Sequence, residues 1–197
     1  MSEPGLCYFT PSLSTFSQKD IEILKHEFEV QVFVFAPKRK AFTPIMFLKQ
    51  KLFLLTNILK AKVYVIQFAG YHSLLPVLFA RIFGKSSIIV AGGTDCVSFS
   101  KIHYGNYHKR LLSWFTSFSY RFASLILPVD DSLIFSENTY DPSQSGPQGI
   151  LHYNKNLTTH IEVIYNGYDS NEWKFSGDRK RKTFISVSAG LNEQRRY

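Results

Sequence analysis

The sequence predicts an α/β fold: a Rossmann-like parallel sheet with helices on both faces. Short β-branched or aromatic runs alternate along the chain with segments of helical periodicity, which is typical of βαβ units and a parallel sheet. One run, Ser87–Ala91, has the nearly continuous apolar character of a strand that is covered on both faces. With 197 residues and 45% hydrophobic content, the chain suffices for one well-buried domain.

The first strand and helix are predicted near the N-terminus. Leu6–Thr10 is the strand, and the helix after it begins where Ser17 precedes Asp20 by three residues, a pair that resembles a capping box. The apolar stripe of this helix consists of Ile21, Leu24 and Phe28.

A strongly apolar segment separates the next two strands. Val30–Ala36 and Lys62–Phe68 are the predicted strands. Thr43–Leu59 lies between them and is interrupted by Lys49 and Lys51. We interpret this segment as a heavily buried crossover helix, because a helix lying on a surface should show a wider polar face.

The middle of the chain contains one more helix and the fourth strand. The helix spans His72–Phe83, with Pro76 tolerated in its first turns and Gly84 at its end. The strand is Ser87–Ala91, and the sequence Gly92-Gly93-Thr94-Asp95 terminates it.

A long aromatic helix and two further strands complete the domain. From Asn106 onward, large apolar residues recur at the helical period and predict an aromatic stripe that faces the core. They are Tyr107, Leu111, Trp114, Phe115, Phe118 and Phe122. Leu125–Val129 and His160–Tyr165 are strands five and six. Between them Asp130–Ser136 opens another helix, and Asp141–Gly149 is a surface loop rich in Pro, Gly, Ser and Gln.

Composition argues against several classes of protein. Cys7 and Cys96 are too few for a disulfide framework and lack C-x-x-C spacing, so we expect reduced, buried thiols and no metal. The N-terminus has no basic region followed by an apolar one, and charges interrupt every long apolar run, which predicts a cytoplasmic chain. The net charge of +8 favours anionic partners. Neither Lys38–Lys40 nor Arg179–Lys182 is interleaved with aromatic residues as in nucleic-acid-binding motifs, so no nucleic acid is expected.

A peripheral contact with an anionic membrane is a separate hypothesis. The basic cluster Lys38–Lys40 precedes the apolar segment Thr43–Leu59, and a basic, apolar helix can lie at a lipid surface. The hypothesis predicts weak, salt-sensitive binding to anionic vesicles, whereas an interior crossover helix predicts none.

Five segments carry a resemblance to a known family. They are Gln67–His72, Ile88–Asp95, Leu127–Ser132, Val163–Asp169 and Phe184–Gly190. In this order they resemble the landmarks of family-4-like GT-B glycosyltransferases, beginning with the N-terminal, acceptor-side domain. The resemblance implies an enzyme of polysaccharide biosynthesis that transfers a sugar from a nucleotide sugar to a glycan or lipid-linked acceptor, without a cofactor.

The resemblance also implies a domain organisation. Residues 1–173 are expected to form the acceptor-side domain, residues 174–182 a linker, and residues 183–197 the first strand of a truncated donor-binding domain. Glycosyl transfer requires stabilisation of negative charge on the departing diphosphate, which in the family is a task of the C-terminal domain. The isolated chain is therefore expected to have little or no activity. Arg195 and Arg196 are its candidates for donor contacts.

The acceptor site is expected beyond the carboxyl ends of the strands, near a topological switch. The loops after strands one and four flank that crevice, and their hydroxyls, carboxylate and glycines suit a polyol. The candidate acceptor-binding residues are Ser12, Ser14, Thr15, Gly92, Gly93, Thr94 and Asp95. The alternatives are that Gly92-Gly93 forms a tight turn and that Asp95 caps neighbouring backbone amides.

Asp95 and His72 are the candidates for catalysis. Many relatives carry His where this chain has Gly92, so the role of that His does not transfer to this chain. His72, at a helix start, is a candidate proton acceptor or polar contact, and a capping or interfacial histidine is the alternative. Asp130 and Asp131 follow another strand, where helix capping is the expected role.

Two other functions are alternatives to the transferase. A non-catalytic Rossmann-like module would hold a glycan or a protein partner with the same fold. A dinucleotide oxidoreductase is the third option, although no G-x-G-x-x-G motif follows the first strand.

Overall fold

The computed structural model describes residues 4–139 and 145–167, which form eight strands and five α-helices. The strands are β1 (Gly5–Thr10), β2 (Glu29–Val34), β3 (Ala61–Gln67), β4 (Ser86–Ala91), β5 (Leu125–Pro128), β6 (Ser136–Asn138), β7 (Gly146–Gln148) and β8 (His160–Ile161). The helices are α1 (Thr15–Leu24), α2 (Thr43–Asn57), α3 (Leu74–Ile82), α4 (Arg110–Phe122) and α5 (Ile150–Tyr153).

Contacts between Cα atoms divide the chain into two units, Met1–Tyr165 and Asn166–Tyr197. The secondary structure described above belongs to the first unit, and the structure describes Asn166 and Gly167 of the second. The predicted linker at 174–182 and the predicted strand at 183–197 lie outside the described residues.

Six strands form a parallel sheet in the order β2-β1-β3-β4-β5-β8. The predicted α/β class with a Rossmann-like parallel sheet is therefore confirmed. The chain passes from β1 outward to β2 and then crosses back to β3 on the other side of β1. This reversal between β1 and β3 is a topological switch point, where open parallel sheets leave a crevice.

Helices cover both faces of the sheet, as predicted. On one face Ile21 of α1 packs with Leu6 and Tyr8 of β1. A larger cluster draws on four helices, α2 to α5, and includes Cys7, Phe9, Leu54, Val77, Cys96 and Tyr120. Residues 6–9 alternate between the two clusters because successive strand side chains point to opposite faces. Both cysteines are buried and unpaired, and burial raises the pKa of Cys7 to about 12.

Helix α1 begins earlier than the sequence predicted. Ser14 is its N-cap and accepts a hydrogen bond from the Ser17 N–H at 3.3 Å. Ser17 is buried, and its hydroxyl donates to the Ser12 carbonyl at 3.1 Å. Asp20 accepts a hydrogen bond from the Tyr8 hydroxyl at 2.9 Å. The capping-box prediction is wrong because Ser17 lies inside the helix, which Ser14 caps, and because Tyr8 of β1 engages Asp20.

Helix α2 crosses between β2 and β3 as predicted, but it is not heavily buried. Gln50 and Leu54 are its buried residues, whereas Leu48 and Leu52 are 59% and 55% exposed. The prediction is wrong because apolar residues occupy both the core side and the outward side of this helix. None of the helices in the described ranges is long and apolar enough to cross a membrane.

Helix α3 ends at a left-handed glycine, as predicted. Gly84 follows its last turn with φ of +62°, a conformation that glycine adopts without a steric penalty. Pro76 lies in the first turn, where its missing N–H removes no helical hydrogen bond.

Helix α4 turns two polar residues and Tyr120 to the interior, and its predicted aromatic stripe packs against the core only in part, through Phe122. Its buried residues are Thr116, Ser119 and Tyr120. Leu111 and Trp114, from the predicted core-facing stripe, are 61% and 55% exposed. Ser119 Oγ lies 2.6 Å from Ser73 Oγ, so the buried hydroxyls have partners. The periodicity therefore predicted the helix correctly and its buried side only in part.

The segment after β5 forms a single 3-10 turn, Asp131–Leu133, where the sequence predicted a longer helix. Strands β6 and β7 then pair antiparallel, so the part of the predicted loop that the structure describes contains a strand. Gly146 and Pro147 are poor strand formers, and composition therefore gave no sign of this hairpin. Residues 140–144 lie outside the described ranges.

Candidate functional site

A cavity of about 400 Å³ lies at the carboxyl edge of the sheet, at the switch point between β1 and β3. Segments that follow four strands line it: Pro11 after β1; Phe35, Pro37 and Lys40 after β2; residues 68–72 after β3; Thr94 and Asp95 after β4. Thr43, Asn106 and Leu112 complete the wall. The cavity therefore occupies the position where open parallel sheets bind ligands.

Asp95 is fully buried in this wall and holds two loops together. Its Oδ2 accepts hydrogen bonds from the Ala69 N–H (2.8 Å) and the Tyr120 hydroxyl (2.7 Å). Its Oδ1 accepts hydrogen bonds from the N–H groups of Gly92 and Gly93, both at 3.2 Å. Burial raises the pKa of the carboxyl, and these hydrogen bonds oppose the rise. The carboxylate thus clamps the loop after β3 to the loop after β4 by capping backbone amides.

His72 lines the same cavity and is 6% exposed. Its Nε2 donates a hydrogen bond to the Gln67 carbonyl at 2.7 Å. The Gln50 side chain of α2 donates to the His72 carbonyl at 2.7 Å. Burial lowers the pKa of the imidazole to about 4, so the ring is neutral near pH 7. The fold therefore brings the two catalytic candidates of the sequence to one cavity, each engaged by backbone groups.

The loop after β4 packs against Phe68, which follows β3. Phe68 has φ of +62°, in the left-handed region that bulky residues rarely adopt. A Cβ added at Gly92 would lie 2.0 Å from the Phe68 ring. Gly92 therefore leaves the space that the ring occupies. Backbone strain of this kind concentrates at functional sites, and Phe68 lines the cavity.

The predicted acceptor-binding residues divide into two groups. Thr94 and Asp95 line the cavity, and Thr94 Oγ1 lies 3.1 Å from the Tyr104 hydroxyl. The remaining candidates, which lie outside the cavity wall, are Ser12, Ser14, Thr15, Gly92 and Gly93. Their contact with an acceptor stays a prediction.

Among the lining residues that were not predicted from the sequence, four have polar side chains: Lys40, Thr43, Tyr71 and Asn106. Asn106 Nδ2 donates hydrogen bonds to the Ala69 carbonyl (2.8 Å) and Thr116 Oγ1 (3.0 Å), so it also supports the wall. Tyr71 belongs to the landmark Gln67–His72, which was the available signal for it. The sequence places Lys40 in a basic cluster but does not mark it as a site residue, because a charged run is most often a solvated loop.

The wall can bind and orient a ligand that carries hydroxyl or anionic groups. Phe35, Phe68 and Tyr71 supply aromatic rings. Thr43 and Thr94 supply hydroxyls and Lys40 an ammonium group. Apolar and aromatic walls with a few convergent polar groups are typical of small-molecule sites.

Asp130 and Asp131 have local structural roles. Asp130 Oδ1 accepts hydrogen bonds from the N–H (2.9 Å) and hydroxyl (2.6 Å) of Ser132, which lower the pKa of its carboxyl. This is the predicted cap, although the turn that it caps is short. Asp131 accepts a hydrogen bond from the Tyr165 hydroxyl.

The donor-side candidates Arg195 and Arg196 lie outside the described residues. Within residues 4–139 and 145–167, no group of three or more His, Cys, Asp or Glu side chains is placed to hold a metal ion.

Comparisons with known proteins do not assign this chain to a family. No protein-family model matches it, and a search of curated proteins gives no match either. The fold, the cavity and the sequence landmarks are therefore the basis for a functional assignment.

Proposed function

We propose that this chain carries the acceptor side of a GT-B-type glycosyltransferase, which transfers a sugar from a nucleotide sugar to a glycan or lipid-linked acceptor. The observation that carries the proposal is the aromatic and hydroxyl-lined cavity at the switch point of a parallel sheet. The order of the sequence landmarks supports the same function, since three of them begin in β3, β4 and β5 and a fourth begins two residues after β8.

In this proposal the chain binds and orients the acceptor. The rings of Phe35 and Tyr71 pack against apolar faces of a sugar, and the Thr94 hydroxyl and Lys40 ammonium contact its oxygen atoms. Transfer requires an acceptor hydroxyl held at the anomeric carbon of the donor, so positioning is the contribution of this domain. Stabilisation of the departing diphosphate falls to donor-side groups, for which Arg195 and Arg196 are candidates.

A non-catalytic glycan- or protein-binding module is the second candidate. The observation that favours it is the state of the two candidate catalytic groups. The Asp95 carboxylate accepts hydrogen bonds from three backbone N–H groups and the Tyr120 hydroxyl of this domain, and the His72 ring is buried and neutral. A module of this kind binds a ligand in the same cavity and consumes no nucleotide sugar.

Glycan binding tests the acceptor site. We expect the fluorescently labelled chain to bind a subset of glycans on an array, and Tyr71→Ala to weaken that binding at least about tenfold by removing a ring from the wall. Tyr71→Phe keeps the ring and should retain most of the affinity. Thr158→Ala, at an exposed position, is the control. Absence of glycan binding, or an equal loss in the control, contradicts the proposed site.

Sugar transfer separates the enzyme from the binding module. The natural gene product is incubated with radiolabelled nucleotide sugars and the glycans that the array retains. Transfer supports the glycosyltransferase, and binding without transfer supports the module. The isolated 197-residue chain should give little or no transfer. Robust transfer by that chain would contradict this expectation, because it would show that transfer does not require donor-side groups from another domain.

A further inference from the structure

The outward side of α2 is apolar, although the outward side of a surface helix is usually polar. Its exposed stripe consists of Ile45, Leu48, Leu52 and Leu55, which are 49%, 59%, 55% and 45% exposed. Gln50 and Leu54, on the core side, are fully buried. At 3.6 residues per turn, the exposed residues lie opposite the buried ones. The stripe is therefore a second apolar face and not the margin of the core.

Positive charge surrounds this stripe. Lys49 and Lys51 are exposed and flank it on either side of the helix, and the exposed cluster Lys38–Lys40 precedes it. Between Glu29 and Asp95 the chain has nine lysine and arginine residues and no acidic residue. A surface that offers both hydrocarbon and dense negative charge complements this combination, and an anionic lipid leaflet offers both.

Helix α1 provides an internal contrast. Phe16 and Ile23 are 62% and 67% exposed and are seven residues apart, as are Ile45 and Leu52 on α2. Between Thr15 and Glu27 the chain carries three acidic residues, Asp20, Glu22 and Glu27, and two lysines, Lys19 and Lys25. The carboxylates offset the lysines at an anionic surface, so the exposed apolar residues on α1 lack the net positive charge that surrounds those on α2.

We propose that α2 lies flat on an anionic lipid bilayer, with its apolar stripe at the boundary between headgroups and acyl chains. The flanking lysines contact headgroup phosphates. Thr43, the first residue of this helix, and Lys40, three residues before it, line the cavity, so docking brings the cavity wall next to the lipid surface. Docking is independent of sugar transfer and of the ligand in the cavity.

Vesicle flotation tests the proposal with the full 197-residue chain and no sugar donor. We expect the chain to float with vesicles of phosphatidylcholine mixed with phosphatidylglycerol, and much less with phosphatidylcholine alone. Binding should weaken as salt is added, because screening shortens the range of the attraction. Equal flotation with both vesicles, or none with either, would overturn the proposal.

Two matched double variants locate the contact on the helix. Ile45→Ser with Leu52→Ser should weaken binding at least about tenfold, because two side chains that enter the lipid boundary lose apolar surface. Phe16→Ser with Ile23→Ser removes a comparable exposed pair from α1 and should leave binding unchanged. Circular dichroism checks that both variants are folded. An equal loss in the two variants contradicts a contact through α2.

A charge variant tests the second part of the contact. Lys49→Gln with Lys51→Gln should weaken binding to the anionic vesicles about 25-fold, at roughly fivefold per lysine. Lys25→Gln with Lys155→Gln removes two exposed lysines elsewhere and should have little effect.

A second copy of this chain is the competing occupant of the stripe, and sedimentation of the wild-type chain tests for it. A dimer that Ile45→Ser with Leu52→Ser dissociates would assign the stripe to a second copy and overturn the proposal.

Discussion

His72 is a base that the fold keeps uncharged, and the stability of the protein should therefore depend on pH. Burial lowers the pKa of its ring from 6.5 to about 4. Between these values the unfolded chain binds a proton at this position and the folded chain does not, so acid favours unfolding. The stabilising contribution is complete above about pH 6.5 and is lost as the pH falls towards about 4.

We expect His72→Gln to remove this part of the pH dependence. The difference in free energy of unfolding between wild type and variant should shrink by up to about 3 kcal/mol as the pH falls from about 7 to about 4. Urea unfolding at a series of pH values measures it. Burial raises the pKa of Asp95 and so gives a contribution of opposite sign, but this is common to both proteins. A difference that does not change with pH would show that the ring is not kept neutral by burial.

The pair formed by Phe68 and Gly92 gives a second prediction for single residues. Gly92→Ala should cost about 1–3 kcal/mol, because the new methyl group meets the Phe68 ring. In a Phe68→Gly background the same change should cost clearly less, and a double-mutant cycle from thermal unfolding measures the difference. Gly167→Ala is the control, since a Cβ there meets nothing within 4 Å. Equal costs in the two backgrounds would contradict the contact.

At the level of elements, α2 should tolerate change on one side and not on the other. Leu54→Ala should reduce the free energy of unfolding by about 2–5 kcal/mol, because it leaves a cavity in the core. Leu52→Ala, two residues away and 55% exposed, should change it by less than about 0.5 kcal/mol. Urea denaturation of the two variants makes the comparison. Similar losses would mean that the outward face is covered in the free protein.

The elements that could be predicted from the sequence are those that follow from the repeated alternation of strand and helix patterns. The alternation of strands and helices fixed all six sheet strands, because each crossover must return the chain to the same sheet. The buried sides of α2 and α4 could not be predicted. In α4 the interior requires hydroxyls, since Tyr120 donates to Asp95 and Ser119 meets Ser73. These partners are distant in the sequence, so the periodicity of α4 alone favours its aromatic side as the buried one.

The candidate site was predicted in part for a similar reason. The carboxyl edge and its switch point follow from strand order, and Thr94, Asp95 and His72 were found there. Phe35 and Lys40 come from the segment after β2. The folded topology brings this segment beside β3, and no local motif marks it.

Over the whole molecule, stability should fall from the centre of the sheet to its edge. β1, β3 and β4 each pair on both sides, whereas β8 pairs through two residues at one edge. We expect amides of β3 and β4 to exchange with solvent only through global unfolding, and those near Ile161 to exchange through smaller openings. Native-state hydrogen exchange by mass spectrometry measures both. Equal protection at His160–Ile161 and in β3 would contradict this gradient.

The contact between Phe68 and Gly92 also constrains how the protein can evolve. Many members of the glycosyltransferase family proposed for this chain have histidine at the position of Gly92, which the ring of Phe68 does not allow here. A lineage that gains this histidine is expected to replace Phe68 first, since the reverse order passes through an intermediate with a steric clash. Homologous sequences should therefore combine a side chain at position 92 with a residue smaller than phenylalanine at position 68. The packing of the Phe68 ring thus determines the order in which positions 68 and 92 are expected to change.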